Sequence, residues 1–148
     1  MSDNTSIDYR LIHQCINEGL SNIPVVGSGI SDVLKQVIVS AKPGEVELEF
    51  TPGKEFIQGN GVLQGGALAM LLDAALAYSG LSMVEPTHTV VSLNIHAQFF
   101  RPAHPGTLRA KARVDKPGRS VMFSSAELIG PDGKVLATAE SPLMVLPI

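Results

Sequence analysis

Hydrophobic and polar positions follow two different periods along this chain, and the switches between them mark its elements. From residue 6 to about residue 20, Ile7, Leu11, Cys15 and Ile16 recur at helical spacing. Ser6 suits the cap, Asp8 the first turn and Gly19 the stop, so a peripheral helix is expected. Residues 1–5 are expected to fray. Residues 21–31 carry Pro24, Gly27 and Gly29 and predict a winding connection with a short strand at 24–26. Period two then takes over. Residues 33–41 are rich in Val and Ile, a Lys-Pro-Gly-Glu turn spans 42–45, and Val46, Leu48 and Phe50 alternate with Glu47 and Glu49. This predicts a hairpin with one face buried.

The next stretch, residues 58–80, differs from the rest. A glycine-punctuated loop leads to the Gly65-Gly66 pair, and an almost wholly apolar segment follows with one acid, Asp73, in its middle. Residues 66–80 contain Ala, Leu and Met, no Pro and no β-branched residue, which favours helix over strand. Apolar residues on all sides predict a helix buried on most of them. Four long runs complete the chain: 87–102, 106–118, 119–129 and 135–148, separated by short turn signals. Short turns imply antiparallel neighbours. The expected class is α+β, one long central helix wrapped by a curved antiparallel sheet of five to six strands. Residues 1–148 are expected to form a single domain, with 1–22 as an N-terminal helical extension.

Composition removes several function classes. The chain has 148 residues, a net charge of -3, 5% aromatic residues and no Trp. Such a surface neither neutralises a phosphate backbone nor offers stacking platforms, so no nucleic-acid partner is expected. The single cysteine, Cys15, supports neither an internal disulfide nor a Cys-based metal site. No basic segment followed by an apolar block opens the sequence, and a cytoplasmic location is expected. The apolar run at 67–84 is just long enough to span a bilayer, but Asp73 at its centre and its missing basic flanks argue against a membrane partner.

Asp73 is the first candidate for chemistry. A carboxylate inside an apolar helix is costly unless it is paired or near water. It is either an acid on a narrow exposed stripe or one at a cleft or subunit interface, acting as base or nucleophile. Gly65 and Gly66 stand where the loop enters the helix. They make either a tight turn or a place where a substrate carbonyl meets unpaired first-turn N–H groups. Among the histidines, His13, His88, His96 and His104, none has the i, i+4 spacing of a helical metal site, and no metal is expected. By parity His88, Val90, Ser92, Asn94, His96 and Gln98 share one strand face, either solvated or in contact with a ligand through Asn94 or His96.

Gln64-Gly65-Gly66, followed after six residues by Asp73, resembles the glycine-pair and spaced-acid signature of hotdog-fold acyl-CoA thioesterases. The segment ending Phe99-Phe100-Arg101-Pro102 and the later Gly118-Arg119 and Pro131-Asp132-Gly133-Lys134 are also similar to that family. The likeness covers roughly residues 30–146 and is nearest to the phenylacetate-pathway (PaaI-like) and 4-hydroxybenzoyl-CoA thioesterase group. It implies a hotdog fold and hydrolysis of an acyl-CoA to free acid and CoA. No cofactor is implied, coenzyme A being part of the substrate. The resemblance places the acid on Asp73, the oxyanion N–H on Gly65, the loop amide on Gln58 or Asn60, and a water-positioning hydroxyl on Ser92. It implies a homodimer or dimer-of-dimers tetramer, with oxyanion donor and acid from one chain and the loop amide from its neighbour. Gln64 stands where the family has histidine, and it cannot titrate near neutral pH.

The basic residues gain a reading from this resemblance. Arg109, Lys111 and Arg113 share a strand face, while Lys116 and Arg119 flank a turn. They form either a solvated stripe or contacts to coenzyme A phosphates, with Arg101 and Arg119 preferred. Gly66, Gln64, Asn60 and Asn94 complete the expected substrate contacts. Ala74, Ala75 and Ala77 with Tyr78 leave space for an acyl group beside the acid. Two other functions fit the same fold. One is a dehydratase or hydratase on acyl thioesters, which needs a histidine such as His96 near the acid. The other is a non-catalytic acyl-CoA-binding module.

Overall fold

The computed structural model describes residues 5–148; the fraying expected of residues 1–5 lies outside these except at Thr5, which belongs to no helix or strand. Helix α1 (Ile7–Glu18) is capped as its sequence predicts. Ser6 accepts from the Tyr9 N–H at 3.1 Å, and Gly19 closes the helix at φ 64°. Strand β1 is only Ile23–Pro24, and a short helix α2 (Ile30–Val33) follows. The strand expected from residue 33 therefore begins later, as β2 (Val37–Lys42). Lys35 at φ 51° turns the chain between them, a conformation that local sequence does not announce. Next come β3 (Glu45–Phe50) and helix α3 (Gly65–Leu81). Strands β4 (His88–Ser92), β5 (His96–Phe99), β6 (Leu108–Lys116), β7 (Val121–Ile129) and β8 (Val135–Pro147) complete the chain.

All strands join one antiparallel sheet in the order β1-β2-β3-β6-β7-β8-β4, with β5 also on β8. Taking β4 and β5 as one interrupted edge strand and setting aside the two-residue β1, the long strands number six, as expected. The sheet wraps α3. Leu71, Leu72, Ala75 and Leu76 are fully buried against Ile38, Leu48, Phe50, Leu108, Leu128 and Leu143 from the inner strand faces. The alternation that predicted β3 supplies three of its inward residues, Val46, Leu48 and Phe50, while Glu45, Glu47 and Glu49 face outward. Helix α3 leaves one open stripe through Gly66, Ala69, Met70, Asp73, Ala74 and Ala77, at helical spacing. No helix among the described residues is long and apolar enough to cross a membrane.

The edge strand corrects the parity argument. Ser92 pairs with Leu143 but His96 pairs with Glu140, so three residues of the edge oppose two of β8. This is a bulge. Pro142 has no N–H to give to a continuous ladder, and Ser141 Oγ instead donates to the Asn94 carbonyl at 2.6 Å. Val90 and Ser92 point toward α3 before the bulge, and Ala97 and Phe99 do so after it. His96 does not share the Ser92 face, and Asn94 lies within the bulge itself.

Two interactions fix α1 and α3. The Tyr78 hydroxyl donates to Asp8, whose same oxygen accepts from Ser28 at 2.6 Å. Burial, and then this hydrogen bond to a carboxylate, pushes the Tyr78 phenol far above its ordinary range. His13 Nε2 sits 2.9 Å from the Leu81 carbonyl at the end of α3. Tyr78 is thus committed to α1 and does not line a space beside Asp73, and Ala75 is buried in the core. Of the small residues expected there, Ala74 and Ala77 remain on the open stripe.

Gly80 sets how closely α3 approaches the edge of the sheet. A Cβ at this position would lie 2.6 Å from Leu143 Cδ1 and 3.3 Å from Val90 Cγ2. Both neighbours are buried and have little room to yield. Gly80→Val is expected to lower stability by about 2 kcal/mol through overpacking, read as a lower urea midpoint with an unchanged slope. A midpoint equal to that of the parent chain would contradict this packing.

Candidate active site

Asp73 is half-buried at the middle of the open stripe of α3. Its Oδ1 accepts a 2.6 Å hydrogen bond from the Ser92 hydroxyl at the end of β4. Ser92 is the last inward residue before the bulge, which places its hydroxyl over the helix. The other carboxylate oxygen has no hydrogen-bond partner among the described residues. A buried-edge acid is in this way held by one charge-assisted hydrogen bond and left open on its far side.

Gly65 is the first residue of α3, and Gln64 precedes it in extended conformation without a side-chain cap. The Gln64 carbonyl accepts from the Ala67 and Leu68 N–H groups. The N–H groups of Gly65 and Gly66 meet no acceptor among the described residues, as expected of a first turn without a cap. Both therefore face outward with the positive end of the helix behind them. The loop before them is held by an Ile57–Leu63 bridge, by Leu63 N–H donating to Ala103 O and by Gln64 N–H donating to Phe56 O.

The loop geometry separates Gln58 from Asn60. Gln58 Oε1 accepts from the Asn60 backbone N–H at 2.7 Å, which ties the side chain to its own loop and leaves its NH2 group without an acceptor among the described residues. Gln58 is half-buried, while the Asn60 side chain is exposed with no partner among the described residues. Gln64 and Gly66 are exposed beside this loop.

The structure does not bring all these residues together in one chain. Gly65 and Asp73 lie eight residues apart on one continuous helix. At 1.5 Å per residue they are about 12 Å apart along its axis. No single thioester carbonyl touches both, so the expectation of an oxyanion donor and an acid from the same chain fails on helix geometry. Gln58 lies on the loop that leads into Gly65, and Ser92 is bonded to Asp73.

Other expected contacts separate as well. His96 faces the outer side of the sheet, 3.6 Å from Glu140, and cannot share a proton with Asp73. Arg109 bridges Glu47 at 2.9 Å and Glu49 at 3.4 Å, and Arg113 pairs with Asp115. The Arg109 pairs cross from β6 to β3 and the Arg113 pair runs along β6; on this outer face a broad concavity of about 800 Å³ is lined by charges of both signs. It lies on the opposite side of the sheet from Asp73 and belongs to no catalytic group. Arg101 and Arg119 are exposed and make no ion pair among the described residues. Arg101 N–H binds Leu136 O, while Val145 N–H binds the carbonyl of Ser120, next to Arg119. The two arginines stand near opposite ends of β8, about 30 Å apart along the strand.

Sequence reasoning assigns no role to Phe99. Its ring lies against the start of α3, with Cζ 3.9 Å from where a Cβ on Gly65 would stand. The signal for it is a large aromatic on an edge strand, and its face is known only once the bulge is. Among the described residues no three His, Cys, Asp or Glu side chains converge so as to hold a metal ion.

With this geometry in hand, likenesses to known proteins become informative. The family model of the Thioesterase superfamily matches residues 60–137. Human acyl-coenzyme A thioesterase 13 is 31% identical over 105 residues, which span 70% of this chain and 74% of that protein. The crystal structure of a thioesterase family protein from Silicibacter pomeroyi superposes with a TM-score of 0.80 at 26% identity, covering 93% of this chain and 99% of that one. A phenylacetic acid degradation-related protein of Ralstonia eutropha superposes at 0.76 with 32% identity, covering 79% and 89%. The matched span holds the glycine pair, the helix acid and its serine, and the helix-in-sheet architecture is the hotdog fold: this chain belongs to the thioesterase superfamily.

Proposed function

We propose that this protein hydrolyses an acyl-CoA thioester to free acid and CoA at a site completed by a second copy of the chain. The observation that carries this reading is the separation of the two half-sites: Asp73 held by Ser92 at 2.6 Å, and an unpaired Gly65 N–H two helical turns away. The open edge of the sheet supports the partnership. Strand β4 ends the strand order, and Val91, Leu93 and Ile95 along this edge are exposed. An unpaired apolar edge is a template for another strand. Antiparallel pairing of two such edges, about a two-fold axis between Ile95 and His96, sets Ser92 of one chain level with Phe99 of the other. Phe99 adjoins Gly65 and Ser92 holds Asp73, so this register joins the two half-sites. It also brings Arg101 of one chain and Arg119 of the other toward one site, where their unpaired guanidinium groups suit coenzyme A phosphates.

The chemistry needs few parts. The thioester oxygen accepts from the Gly65 N–H, with the Gln58 amide of the same chain as a second donor. Asp73 of the other chain takes a proton from water through its free oxygen as the water oxygen bonds to the carbonyl carbon. The negative charge that develops on the thioester oxygen is stabilised by the helix N-terminus. Collapse of the tetrahedral adduct breaks the C–S bond and expels the CoA thiolate, which ends as the thiol. A thiol of pKa about 8.5 leaves without strong acid assistance, so Gln64 in place of histidine is compatible with turnover. A dehydratase reading lacks a histidine near Asp73.

Asp73→Asn is expected to lower kcat for acyl-CoA hydrolysis by about 10²–10⁴-fold with an unchanged fold. Gly65→Pro removes the oxyanion N–H without breaking the helix, because proline suits the first helical position and extended Gln64 can precede it; kcat is expected to fall at least about 10²–10³-fold. Thiol release monitored with a disulfide reagent reads both. Full activity in either variant would overturn the assignment, and acyl-CoA binding without any thiol release by the parent chain would favour a binding module. A single turnover in H₂¹⁸O distinguishes base from nucleophile. Label appearing in the product acid in the first turnover is expected; unlabelled product would indicate attack by the Asp73 carboxylate itself.

A further inference from the structure

Phe99 is a large apolar side chain beside Gly65 that the proposed chemistry leaves idle. It ends β5 opposite Ala137, which is fully buried, so its ring points to the inner face of the sheet. The inner-face residues of β8 beside it, Ala137 and Ala139, are buried, yet Phe99 remains 50% exposed. The far edge of the ring meets the helix start, with Cζ and Cε2 3.9 and 4.0 Å from a Cβ placed on Gly65. It packs there without crowding the glycine. A half-exposed aromatic beside two free N–H groups is an apolar wall with polar groups at its rim, the arrangement of a small-molecule site.

We propose that Phe99 is a specificity-determining residue: its ring walls the thioester seat at Gly65 and limits the bulk of the acyl group at the carbon next to the carbonyl. The inference rests on the two-chain site described above. In that site Phe99 of one chain lies level with Ser92 of the other, so its ring borders the gap between the oxyanion donor and the acid. A thioester engaged by both passes over the ring. The contact also excludes water from the Gly65 N–H, where charge develops.

The test compares kcat/KM for benzoyl-CoA, which is bulky at that carbon, with hexanoyl-CoA, which is slender there. Phe99→Ala is expected to raise the benzoyl-to-hexanoyl ratio by about tenfold, and Phe99→Trp to lower it, a change of pocket contact of ordinary size. A structural role alone would scale both substrates together. A ratio within twofold of the parent, in a variant with unchanged melting temperature, overturns the role of Phe99 while leaving the hydrolase reading intact. Should Phe99→Ala fail to fold, Phe99→Leu carries the same comparison. Should the parent chain hydrolyse neither substrate, the function reading fails, and binding of the benzoyl and hexanoyl ketone analogues of the thioesters decides on Phe99. A tenfold change in their relative Kd upon Phe99→Ala supports the role. Unchanged relative Kd, or no binding to the parent chain, overturns it.

Discussion

A helix is a ruler, and α3 fixes the distances on which this molecule depends. Its start carries the unpaired Gly65 N–H, and its middle carries Asp73. Because the helix is buried in the sheet along most of its length, neither end can swing toward the other. The consequence is that, within one chain, the Gly65 N–H and the Asp73 carboxylate stay about 12 Å apart along the axis. The Ser92 hydrogen bond reinforces this, since it ties the acid to the edge strand rather than to the helix start.

The same edge strand governs what a second copy would meet. Its bulge at residues 93–95 turns Phe99 inward and His96 outward, so the side of the strand facing α3 carries a serine at one end and an aromatic at the other. Residues on either side of the bulge thereby attend to different half-sites of the helix. The outer sheet face, by contrast, satisfies its own charges. Arg109 and Arg113 bind acids of the same chain, while Arg101 and Arg119 near the two ends of β8 make no ion pair among the described residues.

Much of the architecture was legible in the sequence because it rests on local periodicity. The apolar run at 66–80 and the Glu-Val alternation of 46–50 declare their elements, and Ser6 and Gly19 declare the limits of α1. The missing parts depend on distant partners. The parity of the edge strand fails because of Pro142 and Ser141, about fifty residues downstream. Tyr78 turns toward Asp8, seventy residues upstream, and so leaves the space beside the acid. Residues 33–36 pass through α2 and a left-handed Lys35 before the strand begins. In the candidate site, the residue types and their order follow from the signature. Their spacing is legible too: the eight-residue interval between Gly65 and Asp73 already sets about 12 Å between them along the helix axis.

The central claim is that the acid and the oxyanion donor act from different chains. Mixing chains that carry Asp73→Asn with chains that carry Gly65→Pro, after dissociation and reassembly, tests this directly. Each mixed pair would hold one site with both lesions and one with neither, so acyl-CoA hydrolysis should reappear from two inactive preparations. Verified mixed assemblies that remain as inactive as either parent variant would contradict the account, because a site built within one chain is damaged in every combination.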